Sequence, residues 1–160
     1  MFKFEENMRL ISRNKYKKTN MKPVIQEEIT GCAIATTAAI AGISYQEAKQ
    51  MANHLGICAE DNKLWSDTLH MREMLNHLGI PASDNEMPFT SWERLPDLAI
   101  LSIKWRIEEG QPFWHWVVFV REANNEYVLD SKQSLKTNIR TDFGRINPKW
   151  YIAVNAAPIN

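Results

Sequence analysis

The sequence predicts an α+β fold in which an N-terminal helical half packs on a C-terminal antiparallel β-sheet. Three observations carry this. Apolar residues recur at helical spacing between residues 31 and 79, then at strand spacing after Pro81. Helix signals come first and strand signals follow, without the βαβ alternation that builds parallel sheets. The strand-like segments are joined by short connections that suit hairpins. A chain of 160 residues, 44% hydrophobic and 24% charged, is long enough for one domain with its own core.

Residues 1–22 carry seven Lys/Arg against Glu5 and Glu6, a net of +5, which leaves −5 for the rest of an overall neutral chain. This stretch is expected to be a solvated basic extension, with the packed domain spanning 23–160 from Pro23 onward. Thr30 is the expected N-cap of a helix from about Gly31 to Ala41. Ala, Ile and Thr occupy every face of that helix, so it should be buried all round, and Gly42 should end it. Ser44 and Glu47 form a capping box for a second helix reaching His54. Residues 57–66 read as a loop, and a third helix starts near Ser66 or Asp67 and runs to Gly79. The twin phrases Asn53-His-Leu-Gly-Ile57 and Asn76-His-Leu-Gly-Ile80 both read as helix C-termini, with His at the negative dipole end and Gly in the cap. Strands are expected at 98–104, 113–120, 126–130 and 150–154.

Cys32 stands where a polar turn gives way to the buried helix. Unpaired N–H groups and the helix dipole favour negative charge there, and the thiolate is the reactive form of cysteine. A nucleophile also needs a base, a group orienting that base, and oxyanion donors. His115, in the run Trp114-His-Trp-Val-Val118, is the best base, and Asp130, at the end of the next strand, is its natural partner. A hairpin centred between Glu122 and Ala123 would place the two directly opposite. A tight turn at Asn124-Asn125 would offset them by four residues, roughly 13 Å along a strand. Both registers keep them on one face. Gln26 can aim its amide toward an oxyanion beside the Cys32 backbone N–H, and Glu27 and Glu28 are expected to point into solvent. Taken singly, each residue has a plain structural reading: a buried small cysteine, a satisfied core histidine, a turn-starting aspartate, a surface glutamine. Four roles in one chain order, each on a suitable element, favour the chemical reading.

The motifs also carry a resemblance. Gln26-x5-Cys32, with Thr30-Gly31 before the cysteine and Ala33-Ile34-Ala35 after it, resembles the papain-like cysteine peptidases of bacteria. Within them it is similar to the bacteriocin-processing group, which removes double-glycine leader peptides, and its stand-alone relatives. His115-Trp-Val-Val118 matches the family's His-(aromatic)-Val-Val strand, Tyr127-Val-Leu-Asp130 its Val-Leu-Asp hairpin, and Gly42-Ile-Ser-Tyr-Gln-Glu-Ala48 its turn into a second helix. The resemblance spans roughly residues 24–155. It implies a papain-like fold with a central Cys-bearing helix and a site in the cleft. It implies Cys32 as nucleophile, His115 as base and acid, Asp130 as the orienting residue and Gln26 as oxyanion donor. The leader-processing enzymes are commonly fused to membrane exporters with an ATPase domain. This sequence contains neither, so the resemblance leaves the substrate open.

The expected activity is therefore hydrolysis of a peptide or related amide bond through an acyl-enzyme, with no cofactor and no metal. The same parts would also serve a protein glutamine deamidase or transglutaminase, and a non-catalytic papain-like module would bind peptides only. The expected partner is a peptide or protein substrate. Balanced charge argues against nucleic acid, no apolar run is long enough for a membrane span, and no dinucleotide or phosphate-loop motif is present. Cys58 lies in a polar loop beside Glu60 and Asp61. His54, His70 and His77 lack metal-ligand spacing, and His70 and His77 read as solvated. The six tryptophans could wall a substrate groove, but core and edge packing fits most of them better. Two unpaired cysteines and no signal peptide suggest a cytoplasmic protein, or one exported by a specialised system. The oligomeric state is not legible.

Overall fold

Helix α1 spans Cys32–Ala41, and all of its residues are buried, as its uncharged faces require. Thr37 satisfies its hydroxyl inside the core by donating to the Ala33 carbonyl at 2.9 Å. Gly42 stops the helix at φ 71°, with its N–H on the Ala38 carbonyl. The other end differs from expectation. Gly31 is the N-cap, and no side chain caps the helix. Thr30 donates its hydroxyl to the carbonyl of Ala59 instead, so a tertiary partner outcompetes the local one. The computed structural model describes residues 21–155, so almost all of the basic stretch 1–22 lies outside the described residues.

Helix α2, Tyr45–His54, begins with the full Ser44–Glu47 capping box. Helix α3, Leu69–His77, starts later than its sequence suggests, because the Asp67 carboxylate caps the Leu69 N–H at 2.8 Å. The segment before it, expected as a plain loop, contains a 3₁₀ turn, Asn62–Trp65, held against the sheet by the Trp116 indole N–H donating to the Leu64 carbonyl at 2.7 Å. The twin phrases end α2 and α3 identically. In each, Gly has positive φ, its N–H returns to the Asn carbonyl, and the following Ile bonds back five residues and buries its side chain. No helix among the described residues is long and apolar enough to cross a membrane.

Among the described residues, six antiparallel strands form one sheet: β1 (Met87–Pro88), β2 (Leu98–Glu108), β3 (Gln111–Glu122), β4 (Asn125–Asp130), β5 (Ile139–Arg140) and β6 (Trp150–Ala153), in the order β1-β6-β2-β3-β4-β5. β2 and β3 run further than expected because their hairpin turns at Glu109-Gly110, both at positive φ, and keeps pairing to its tip. β1 and β5 have two residues each, too short to show a pattern. One sheet face carries Trp114, Trp116, Val118 and Val120 into the core built with α1 and its neighbours. The other carries Val117, Phe119, Leu101 and Ile103 beneath Leu95 and Ile146 from the connecting segments. Most of the tryptophans pack as expected, with Trp114, Trp116 and Trp150 stacked edge-on at 5.1–5.5 Å between centroids.

Two local irregularities shape the sheet around His115. The β3–β4 hairpin pairs Glu122 with Asn125, so its turn is Ala123-Asn124, with Ala123 at φ 51°. This register lies midway between direct opposition of His115 and Asp130 and the four-residue offset, because Ala123 accepts the left-handed conformation expected of an asparagine. On β2, a bulge breaks the register between Ile103 and Arg106, with Lys104 at φ 53°.

Candidate active site

The β3–β4 register decides how His115 meets Asp130. Asp130 pairs with Val117, so His115 is its diagonal neighbour, two residues further along the same face. Side chains reach across that diagonal, and His115 Nε2 bonds Asp130 Oδ1 at 2.7 Å. The Asp130 carboxylate, 1% exposed, is held from two other directions. The Lys132 N–H donates to Oδ1 at 3.1 Å, and Arg140 donates to Oδ2 at 3.1 Å. Burial alone would raise this carboxyl's pKa. The bonds and charge of His115, then the Lys132 amide and Arg140, overcome it and hold the pKa below the usual carboxylate value.

His115 connects the sheet to α1. Burial disfavours the charged imidazole, but the hydrogen bond to Asp130, then the hydrogen bond and charge of Cys32, outweigh it and raise the pKa to about 9. With Nε2 committed to Asp130, Nδ1 is the ring nitrogen left for the Cys32 thiol. Cys32 opens the first turn of α1, where the absence of a side-chain cap leaves that turn's N–H groups without a capping acceptor.

Gln26 is brought to the same place, but its amide is engaged. Nε2 donates to the Glu28 carbonyl at 3.0 Å and the Ile29 carbonyl at 2.9 Å, while Oε1 accepts from the Ser131 hydroxyl at 2.8 Å. The Gln26 backbone N–H bonds the Ser131 carbonyl at 3.0 Å, and Gln133 donates to the Gln26 carbonyl at 2.7 Å. The turn before Cys32 is thus tied to the segment after Asp130. Contrary to expectation, Glu28 does not point into solvent: its two oxygens are taken by Lys49 and Tyr45. Burial opposes ionisation of this carboxyl, and those bonds overcome it, so its pKa is lowered. Glu27 is exposed and bonds Gln46. Gly31 stands where an added Cβ would collide with the Tyr45 hydroxyl, so a larger residue there requires Tyr45 to shift.

A cleft of about 570 Å³ opens over these residues, lined by Gln26, Ile29, Trp65, Trp114 and His115 among others. Ile29 stands 79% exposed at its edge. Cys32 does not line the cleft and is wholly buried, whereas Cys58 is exposed. His70, read from sequence as solvated, is instead largely buried, 3.5 Å from Asp61, because α3 folds it against the 57–66 segment. Among the described residues no group of three or more His, Cys, Asp or Glu could hold a metal ion.

Ser131, Gln133 and Arg140 were not legible as site residues. Ser131 had only its place after Asp130 as a signal, and Arg140 sits in a strand too short to read. The arrangement can hold a charged imidazole against the Asp130 carboxylate at the wall of the cleft.

No family model matches the sequence, and neither does any curated protein. Among solved structures, the fold is similar to that of a double-glycine motif protease from an AMS/PCAT transporter, determined in complex with its leader peptide. The TM-score is 0.51 at 15% identity, over 86% of this chain and 94% of that one. The likeness is one of fold: an α+β domain with helices on an antiparallel sheet.

Proposed function

We propose that the protein is a cysteine hydrolase that opens a peptide or related amide bond through Cys32. The observation that carries this reading is His115, bonded to Asp130 at 2.7 Å and raised in pKa by Asp130 and Cys32 together. Asp130 fixes the tautomer and stabilises the imidazolium. The thiolate attacks the carbonyl carbon, and the oxyanion is received by the backbone N–H groups at the start of α1. Gln26 joins them when it releases the Glu28 or Ile29 carbonyl. His115 then gives its proton to the departing amine. Water, deprotonated by the same ring, releases the acyl group and restores the thiolate. Because Cys32 is wholly buried, catalysis requires a local opening of the cleft wall. The leader peptide bound by the structurally similar protease supports a polypeptide as the occupant of the cleft.

Competitive labelling tests the reading. Iodoacetamide at neutral pH should alkylate Cys32 before Cys58, although Cys58 is the exposed thiol. His115→Ala should reverse the order. Preferential labelling of Cys58 in the unaltered protein would remove the nucleophile from the scheme. Ammonia release from protein-bound glutamine without chain cleavage would redirect the same site to deamidation.

A further inference from the structure

We infer that a basic depression bordering the cleft at Lys104 binds an acidic segment of the polypeptide substrate. The inference rests on the hydrolase reading for its placement. Lys104 is its pivot. A residue with a Cβ is disfavoured in the left-handed region, and here the β2 bulge holds Lys104 there at φ 53°. From that position Lys104 borders the cleft and two further depressions. The one between the bulge and residues 140–149 has a volume of about 390 Å³. Lys104, Arg140, Arg145 and Lys149 line it, and no carboxylate does.

Arg140 is already paired with Asp130 and Asp142. Lys104, Arg145 and Lys149 have no carboxylate within ion-pair distance among the described residues. Lys149 lies over the Trp105 ring at 4.6 Å, which orients its ammonium without neutralising it. Lys132, on the cleft side, stands close enough to Lys104 that the two cations oppose each other; burial first, then this neighbour, lowers the pKa of Lys104. Such crowding is unfavourable on its own and is relieved by an anion. It is also local, since the chain beyond residue 22 is net acidic. Ile103, Ile146 and Pro148 supply apolar wall, so the depression offers a concave surface lined by both apolar and cationic side chains. A flat lipid surface would not reach into such a depression. A peptide bearing Asp or Glu beside the scissile bond would.

The test uses the Cys32→Ala chain as a non-cleaving capture form. A fluorescent peptide containing a run of glutamates should bind at least about tenfold tighter than its glutamine counterpart. That preference should fall as salt rises from about 50 to about 500 mM. The pair Arg145→Glu and Lys149→Glu, both exposed positions, should abolish it. The pair Arg145→Gln and Lys149→Gln should weaken it, with circular dichroism reporting that both forms fold. In the active chain, digestion of a peptide library should give cut sites enriched in acidic residues on one side, and the charge-reversed pair should lose that enrichment. Equal binding of the two peptides, cleavage without acidic enrichment, or preference for phosphatidylserine vesicles or an oligonucleotide would overturn the inference. Selective glutamate binding with no cleavage would sink the hydrolase reading and leave the basic depression standing.

Discussion

Asp130 is paired across the sheet with Val117, yet its carboxylate closes a 2.7 Å bond with His115, two residues away on the same face. The bond holds because Asp130 is anchored independently by Arg140 and the Lys132 amide. Asp130→Asn should keep the geometry and lose the charge. Turnover should fall by about a hundredfold or more.

The pH dependence of that variant follows from the His115 pKa. The native imidazole titrates at about 9, above the 6.5 of an exposed ring. A raised histidine pKa contributes stability that is fully present below pH 6.5 and is lost as pH rises through about 9. The alkaline limb of activity should therefore lie near pH 9, and the melting temperature should fall between pH 7 and about 9.5. In Asp130→Asn the alkaline limb should move to lower pH and the stability slope should flatten. An unchanged limb would mean that His115 is not the group that titrates.

Cys32→Ala should abolish hydrolysis while leaving the fold intact. The thiol is wholly buried at the start of α1, and alanine fills most of its volume, so the loss of stability should be about 1 kcal/mol. Activity assays beside thermal melts separate the two effects. Residual turnover above about a thousandth of the native rate would place the nucleophile elsewhere.

Gln26→Ala should lower kcat by about a hundredfold with a smaller effect on KM, the signature of a donor acting on the developing oxyanion. Ser131→Ala removes the hydroxyl that donates to Gln26 Oε1, so it should produce a weaker effect of the same kind. If both variants changed only the melting temperature, Gln26 would serve the turn and not the chemistry.

Gly31→Ala should destabilise the protein by about 1–3 kcal/mol, because the new methyl group meets the Tyr45 hydroxyl. Tyr45→Phe deletes that oxygen, along with its bond to Glu28. Combining the two should recover part of the Gly31→Ala loss, a coupling that a double-mutant cycle in urea measures directly. Additive effects would show that the turn relaxes without meeting Tyr45.

The amino-acid sequence by itself determined the order of helices and strands, the all-round burial of α1, the Ser44–Glu47 box and the twin Gly caps. Each depends on neighbours within a few residues, where spacing and side-chain type are sufficient. It also named Cys32, His115, Asp130 and Gln26 as a group, because their chemistry and chain order were visible. Only the tertiary structure decided how His115, Asp130 and Gln26 are bonded. The β3–β4 register turned on Ala123 accepting a left-handed conformation that the asparagines beside it were expected to take. Thr30 gave up its cap for Ala59, and Glu28 left solvent for Lys49 and Tyr45. The partners from Ser131 to Arg140 reached Gln26 and Asp130 through pairing that no local pattern encodes. Long-range partners win at these positions because a buried polar group takes whichever strong partner the fold brings within reach, and sequence distance does not enter that competition.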